Sequence, residues 1–295
     1  MKIIVRLVGG LGNQLFIYAA ARRLSIVNNV ELILDHESGF ERDYKYKRHY
    51  QLRNFEINCR KASTKERLEP LPRIRRKLLK YANQLLSFNN RKFVFQEKIE
   101  YDSRLLNYKP TGVIRMEGYW QSENYFKDIE AVIKKDLKII PPNDSLNLSL
   151  AESMSKCVSV AIHVRFFNPV NETTASNVCE SYYREAISEI QSRLKVEHFF
   201  IFSDNPELAR ELLALDVNSS TLISHNKGDE NSYADMWLMT KCKHFIIANS
   251  TFSWWGAWLS NYPNKVVIAP KSTTKYNGII SWGFDGLLPD EWIKL

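Results

Sequence analysis

Cysteine is sparse in this 295-residue chain: the four present, Cys59, Cys157, Cys179 and Cys242, never approach a Cys-x-x-Cys spacing. This argues against a zinc ribbon and a disulfide framework and points to a reducing compartment. No apolar run approaches the ~20 residues of a membrane-spanning helix. The opening strand, Ile3 to Val8, is too short and too soon interrupted by glycines to be a signal peptide, so a soluble, cytoplasmic protein is expected. Internal repeats and low-complexity tracts are absent. So are several catalytic signatures: Asp-x-Asp, which holds a divalent metal with a sugar nucleotide, the phosphate loop ending Gly-Lys-Ser/Thr, His-Glu-x-x-His, and the Gly-x-Ser-x-Gly elbow. A diphosphate bound here must be stabilised by protein charge and helix ends, without a metal.

What is present describes a globular protein. Hydrophobic residues make up 44% and aromatics 12%, enough for one large domain or two medium ones with proper cores. The net charge of +8 is concentrated between Arg60 and Lys98, where twelve Lys or Arg face Glu66, Glu69 and Glu97. Within that region Ile74, Leu78, Leu79, Tyr81, Leu85 and Leu86 recur at helical spacing. Peripheral contact with an anionic membrane and a solvated helix face both fit this pattern. A nucleic-acid partner would use the same charge, but no nucleic-acid-binding module is recognisable.

The order of elements predicts an α/β protein. Strand Lys2–Val8, the turn Gly9-Gly10-Leu11-Gly12-Asn13-Gln14, helix Leu15–Leu24 and strand Glu31–Asp35 form a βαβ unit. Residues 36 to about 96 show no clean period. A helix is expected over Glu123–Leu137, and Ile140–Ser145 has linker chemistry, which sets domains at 1–142 and 143–295. The second half then alternates strands (Val158–Val164, His198–Phe202, Thr221–Ser224, His244–Ala248, Lys265–Ala269) with helices (Ser181–Leu194, Pro206–Leu213, Ser232–Cys242, Phe252–Leu259). Near-continuous apolar strands imply parallel sheets covered on both faces, hence two Rossmann-like domains facing each other.

Candidate site residues fall at the carboxyl ends of strands, where open α/β sheets bind ligands. The most telling stretch is Ala248-Asn249-Ser250-Thr251-Phe252-Ser253-Trp254-Trp255-Gly256-Ala257-Trp258. A strand runs into Asn249, Ser250 and Thr251, all good helix caps, and then into an aromatic helix. Unpaired N–H groups and the helix dipole make such a start an anion site, to which the hydroxyls of Ser250, Thr251 and Ser253 can add. His163-Val164-Arg165 ends another strand with a guanidinium suited to phosphate, or to a salt bridge with a neighbouring carboxylate. Ser203 and Asp204, then His225 and Asn226, end two more. Asp235 can accept two N–H bonds from a guanine edge, or be an ordinary helix acid. The Gly9–Gln14 turn partly resembles a dinucleotide fingerprint, with Leu15 in place of the third glycine and Asp35 near the position of a ribose-binding acid. A nicotinamide-dependent oxidoreductase is therefore the alternative enzyme.

Four stretches together resemble bacterial α-1,2-fucosyltransferases, glycosyltransferase family 11: Gly9–Phe16, Gly118-Tyr119-Trp120-Gln121-Ser122, Phe202-Ser203-Asp204 and the Ala248–Trp258 run. The resemblance spans essentially the whole chain. It implies a GT-B-type fold, with an N-terminal acceptor-side domain and a C-terminal donor domain. The implied activity is that of an inverting, metal-independent galactoside 2-α-L-fucosyltransferase using GDP-β-L-fucose. The acceptor would be a galactose-containing glycan, lipid-linked in surface polysaccharide or O-antigen synthesis on the inner face of a bacterial membrane. Donor binding then falls to Gly10, Gly12, Asn13, Gln14, His163, Arg165, Asp204, Asp235, Asn249, Ser250, Thr251 and Ser253, with Arg165 and His163 catalytic and no cofactor. Family members commonly carry His-x-Arg-Arg-Gly-Asp, whereas this chain reads His163-Val164-Arg165-Phe166-Phe167-Asn168. An amide cannot act as a general base, so the base lies elsewhere or the transition state is dissociative enough to need little base.

Overall fold

The computed structural model describes residues 1–44, 46–166, 178–271 and 282–295. The chain divides into two compact units, Met1–Lys138 with Asp285–Leu287, and Ile139–Phe284 with Leu288–Leu295.

The first unit is built on a five-stranded sheet. Its strands are β1 (Lys2–Arg6), β2 (Glu31–Asp35), β3 (Arg60–Lys61), β4 (Phe93–Phe95) and β5 (Val113–Glu117), in the order β3-β2-β1-β5-β4. Every pairing is parallel. Buried Ile3, Ile4 and Val5 on β1 and Leu32, Ile33 and Leu34 on β2 explain why these strands read as unbroken apolar runs. Helix α1 (Leu11–Val27) crosses between β1 and β2, starting four residues earlier than the sequence suggests because Gly10 is its N-cap. Helix α2 (Pro72–Gln84) lies in the stretch without a clean period. The helix expected over 123–137 begins as two short 3-10 turns, and only its second half, α3 (Glu130–Asp136), is α-helical.

The second unit holds β6 (Ser159–Val164), β7 (His198–Ser203), β8 (Ser220–Ile223), β9 (His244–Ile246), β10 (Val267–Ala269) and β11 (Ile293–Lys294). These strands form a six-stranded sheet in the order β11-β10-β9-β6-β7-β8, again wholly parallel. Helices α4 (Ser145–Lys156), α5 (Glu180–Arg193), α6 (Pro206–Leu213), α7 (Ser232–Met239) and α8 (Thr251–Leu259) accompany it. All four helices expected in this half are present, with α7 three residues shorter. Sequence reading missed α4: its buried positions, Asn147, Ala151 and Met154, begin with an amide, so the apolar period is disguised. Asp144 caps it, accepting a hydrogen bond from the Asn147 N–H at 2.9 Å. Val160, Ile162, Val164, Tyr182, Ala186, Ile190, Phe199 and Ile201 are among the core residues between this sheet and its helices. Among the described residues no helix is long and apolar enough to cross a membrane.

Candidate active site

Strand order points to a candidate site in the second unit. From β6 the chain winds outward through β7 and β8, then returns to the other side of β6 with β9 and continues through β10 and β11. The order therefore reverses between β6 and β9, and the carboxyl ends of strands at such a reversal are where open α/β sheets take ligands. Arg165 follows β6 directly, Asp204 follows the adjacent β7, and Asn249 and Ser250 follow β9.

Arg165 and Asp204 are engaged with each other. Arg165 Nη1 lies 3.3 Å from Asp204 Oδ2, both side chains being about a quarter exposed. The other carboxylate oxygen, Oδ1, accepts the Phe166 backbone N–H at 2.9 Å. One carboxylate thus fixes both the guanidinium and the loop that bears it, leaving the ion pair reachable from solvent. Tyr183 and Tyr182 of α5, which the sequence reading did not single out, brace the same edge. Tyr183 donates to the His163 carbonyl at 3.2 Å, and Tyr182 to those of Ile247 and Ile268 at 2.7 and 3.1 Å.

The α8 start is an N-cap of the expected kind, with Ser250 as the capping residue. Its Oγ accepts from Phe252 N–H at 3.3 Å, and no acid occupies the first turn. Asn249 Oδ1 is buried without a hydrogen-bond partner among the described residues, as is Nδ1 of His163. Each such orphan costs roughly 1–3 kcal/mol, and both lie at the strand reversal. The helix is held close to α7, since a Cβ on Gly256 would stand 3.0 Å from the Met239 side chain. Trp254 and Trp255 are fully buried, and Trp258 nearly so.

Two calls need correction here. Ser253 is fully buried, and its hydroxyl donates to the Ser250 carbonyl at 3.2 Å, so it shapes the helix start and offers no donor to a ligand. His163 is buried with its ring 5.6 Å from that of Phe252. Burial, and then the Arg165 charge, hold its imidazole well below the usual range. A ring buried in this way is withdrawn from the donor contact expected of it, and the lowered pKa favours its neutral form.

Beyond β8 a polar cluster surrounds Asp235, in the first turn of α7. Asn226 donates to Asp235 at 2.8 Å and forms a reciprocal amide pair with Asn147 at 2.9 and 3.0 Å. His225 Nε2 lies 3.1 Å from the same Asn147 oxygen. Burial pushes the Asp235 carboxyl up to about 7, against the lowering effect of the Asn226 bond. Asn147 escaped the sequence reading because its helix did.

The first unit has its own reversal, between β1 and β5. The Gly9–Gln14 turn follows β1, and Gly118–Ser122 follows β5. A hydrogen bond from Gln121 to Asn13 Oδ1, 2.8 Å, links the two stretches. Gly9 has φ +75°, and a Cβ there would meet the Asn13 amide at 2.8 Å. The Arg48 guanidinium lies beside Gly10, 3.7 Å from where its Cβ would be, and Gly12 is buried in the first turn of α1. Gln14 needs a correction: its amide is fully buried and engaged by protein. It donates to the carbonyls of Gly9 and His49 at 2.9 and 2.8 Å and accepts from Gln51 N–H at 3.0 Å. It locks the turn and does not present itself to a ligand. Asp35 is also corrected. It accepts from Ser38 and, at 2.7 Å, from Arg76, with 1% of its surface exposed, so it is not a ribose-binding acid. The nicotinamide alternative loses its one supporting carboxylate.

The family model for Glycosyl transferase family 11 matches residues 2–278. An Escherichia coli α-1,2-colitosyltransferase is 30% identical over 99% of this chain and 98% of its own length. The chain belongs to glycosyltransferase family 11. A second E. coli relative of this family 11 protein, the O-antigen biosynthesis glycosyltransferase WbnK, is 29% identical over 97% of this chain and 98% of its own. Among solved structures, an Arabidopsis thaliana FUT1 mutant in complex with GDP aligns with TM-score 0.52 at 12% identity, covering 95% of this chain and 72% of that one. Fucosyltransferase NodZ from Bradyrhizobium aligns with TM-score 0.50 at 12% identity, over 87% and 91%. The fold is the GT-B type, with one Rossmann-like sheet in each unit. Where this family 11 chain departs from the His-x-Arg-Arg-Gly-Asp pattern, Phe166 in place of the second Arg is buried, while Phe167 and Asn168 lie outside the described residues.

Proposed function

We propose that this family 11 glycosyltransferase moves L-fucose from GDP-β-L-fucose to a galactose-type hydroxyl. The product is an α-1,2 link formed with inversion, in O-antigen or related surface-glycan synthesis on the cytoplasmic side. The reading is carried by one observation: in a family 11 chain, Arg165 and the Ser250-capped start of α8 occupy the carboxyl ends of β6 and β9, where the strand order reverses. In the proposed reaction Arg165 binds the diphosphate through its planar fork, held by Asp204. The first-turn N–H groups after Ser250 and the Thr251 hydroxyl add partial positive charge. Charge developing on the departing GDP is stabilised without a metal and the anomeric carbon becomes oxocarbenium-like. The acceptor hydroxyl attacks from the opposite face, its C–O bond forming as the bond to GDP breaks and its proton passing to solvent. Asp235 takes the guanine edge. Asn249 adds its amide to the donor site; in the first unit, Gly10, Gly12 and Asn13 at the turn after β1 are taken as substrate-binding residues.

The α-1,2 linkage is supported by the colitosyltransferase relative, which also favours a second donor reading, colitose in place of fucose. A donor screen decides between them: GDP-fucose, GDP-colitose, GDP-mannose and UDP-sugars, each with a galactoside acceptor and with or without excess EDTA. GDP-fucose should be transferred fastest, unaffected by chelation. Preference for GDP-colitose would replace the sugar and keep the site. Activity only with UDP-sugars, or only with added Mn²⁺ or Mg²⁺, would overturn the phosphate-site model.

A further inference from the structure

Helix α2 is mounted the wrong way round for a helix that stabilises its own unit. At about 100° per residue, Ile74, Leu78 and Tyr81 of α2 and Leu85 at its end fall within an arc of roughly 60°, the stripe that normally faces a core, and Leu71, the N-cap, precedes them. Here that stripe faces solvent: Leu78 is 65% exposed and Leu85 90%, and Leu71, Ile74 and Tyr81 are each more than half exposed. The face turned to the protein is polar. Arg76 reaches Asp35 at 2.7 Å and Glu117 at 2.9 Å. Buried Asn83 accepts from the Lys92 and Phe93 N–H groups at 2.7 and 3.1 Å. Lys80 sits 4.4 Å from the centre of the Phe95 ring. Single exposed leucines are ordinary, but a continuous apolar stripe is an interaction surface.

Its borders say what covers it. The helix has no acidic residue, and Arg73 and Lys77 on one side of the stripe and Arg75 on the other are exposed. An apolar ridge between two basic borders matches a bilayer interface with anionic headgroups: the leucines enter the acyl boundary and the cations stay among the phosphates. A second copy of the chain would bring the same basic borders together, and like charge opposes that pairing. We propose that α2 docks the protein peripherally on an anionic lipid surface through Leu71, Ile74, Leu78, Tyr81 and Leu85, lying in the interface without spanning it. This does not depend on which sugar is transferred.

The test is co-sedimentation of the full-length protein with phosphatidylcholine vesicles containing or lacking 30–40% phosphatidylglycerol, an order-of-magnitude composition for an anionic surface. The variants are Leu78→Glu/Leu85→Glu and Arg73→Glu/Arg75→Glu/Lys77→Glu, with folding checked by thermal melts, since every altered side chain is exposed. Wild type should bind the anionic vesicles at least tenfold more tightly than the neutral ones, and high salt should weaken that binding. Each variant should lose at least tenfold on the anionic vesicles with its melting temperature kept. Equal vesicle binding by wild type and both folded variants overturns the proposal. So does a wild type that ignores anionic vesicles but forms a dimer abolished by Leu78→Glu/Leu85→Glu, which would assign the stripe to a second copy.

Discussion

Arg76 Nη2 lies 2.7 Å from Oδ2 of Asp35, and both side chains are largely withdrawn from water. This pair turns the polar face of α2 inward and occupies the carboxylate that a dinucleotide site would need. Arg76→Ala removes the ion-pair partner of buried Asp35, which keeps only its Ser38 hydrogen bonds and the more distant charges of Arg67 and Arg115, so it should destabilise the protein by up to about 3–5 kcal/mol, the range for breaking a buried pair. Urea unfolding measures this. A loss within experimental error of zero would mean that α2 is held by something other than the pair.

Arg165 should be far more sensitive than its charge alone implies. Arg165→Lys keeps the charge but loses the planar fork, and turnover should fall roughly 10²-fold or more, as for removal of a key transition-state donor. Asp204→Asn retains an acceptor for the Phe166 N–H but weakens the hold on Arg165, so a smaller loss, about tenfold, is expected. Wild-type turnover and GDP affinity in Arg165→Lys would remove Arg165 from the donor site.

Asp235 gives the site a pH signature. With its carboxyl pushed up to about 7 by burial, the native state holds a proton that the unfolded chain has released between about pH 4 and 7. Stability therefore falls as pH rises through that window and levels off above it. Asp235→Asn should abolish this part of the slope. GDP affinity should move the other way, rising as pH passes about 7, because the ionised carboxylate accepts the guanine N–H groups. If GDP binding has the same pH profile in wild type and Asp235→Asn, the guanine role is lost.

Gln14 should behave as a structural residue. In Gln14→Glu one oxygen can still accept from Gln51 N–H, but the donors to the Gly9 and His49 carbonyls are gone. Leaving buried carbonyls opposite a carboxylate should cost about 2–4 kcal/mol, seen as a lower urea midpoint. An unchanged midpoint would return Gln14 to the list of ligand-binding candidates.

Asn168→Asp tests the departure from the family pattern. If the missing carboxylate were an essential base, the native enzyme should transfer sugar barely faster than it hydrolyses the donor, and the substitution should raise transfer by the 10²- to 10⁴-fold typical of general-base catalysis. The adjacent aromatics Phe166 and Phe167 favour a neutral side chain over an unpaired carboxylate. The expected outcome is a neutral or harmful effect, with native transfer clearly exceeding hydrolysis.

The sequence by itself determined β1, β2 and five of the six strands of the second unit, with the chemistry types offered to the site; β3, β4, β5 and β11 gave too short or too mixed an apolar run to be read. Short, largely apolar runs such as Val160–Val164 and Phe199–Phe202, alternating with helical stretches, read as strands buried on both faces. Local signals likewise marked a cap among Asn249, Ser250 and Thr251, of which the structure uses Ser250, and the glycine turn after β1, because capping and positive φ are properties of neighbouring residues. Tertiary structure decided which polar groups remain available. Gln14, Ser253 and Asp35 look like ligand-binding residues in the sequence, yet each is engaged by partners inside the protein, up to 41 residues away in the case of Arg76 and Asp35. Asn147 and Tyr182 gave no local sign of their roles, because their partners lie 79 and 65 residues further along the chain. The direction in which α2 faces was equally illegible. Its period is that of any amphipathic helix, and the acids beneath it, buried Asp35 and partly buried Glu117, draw Arg76 inward and leave the leucines outside.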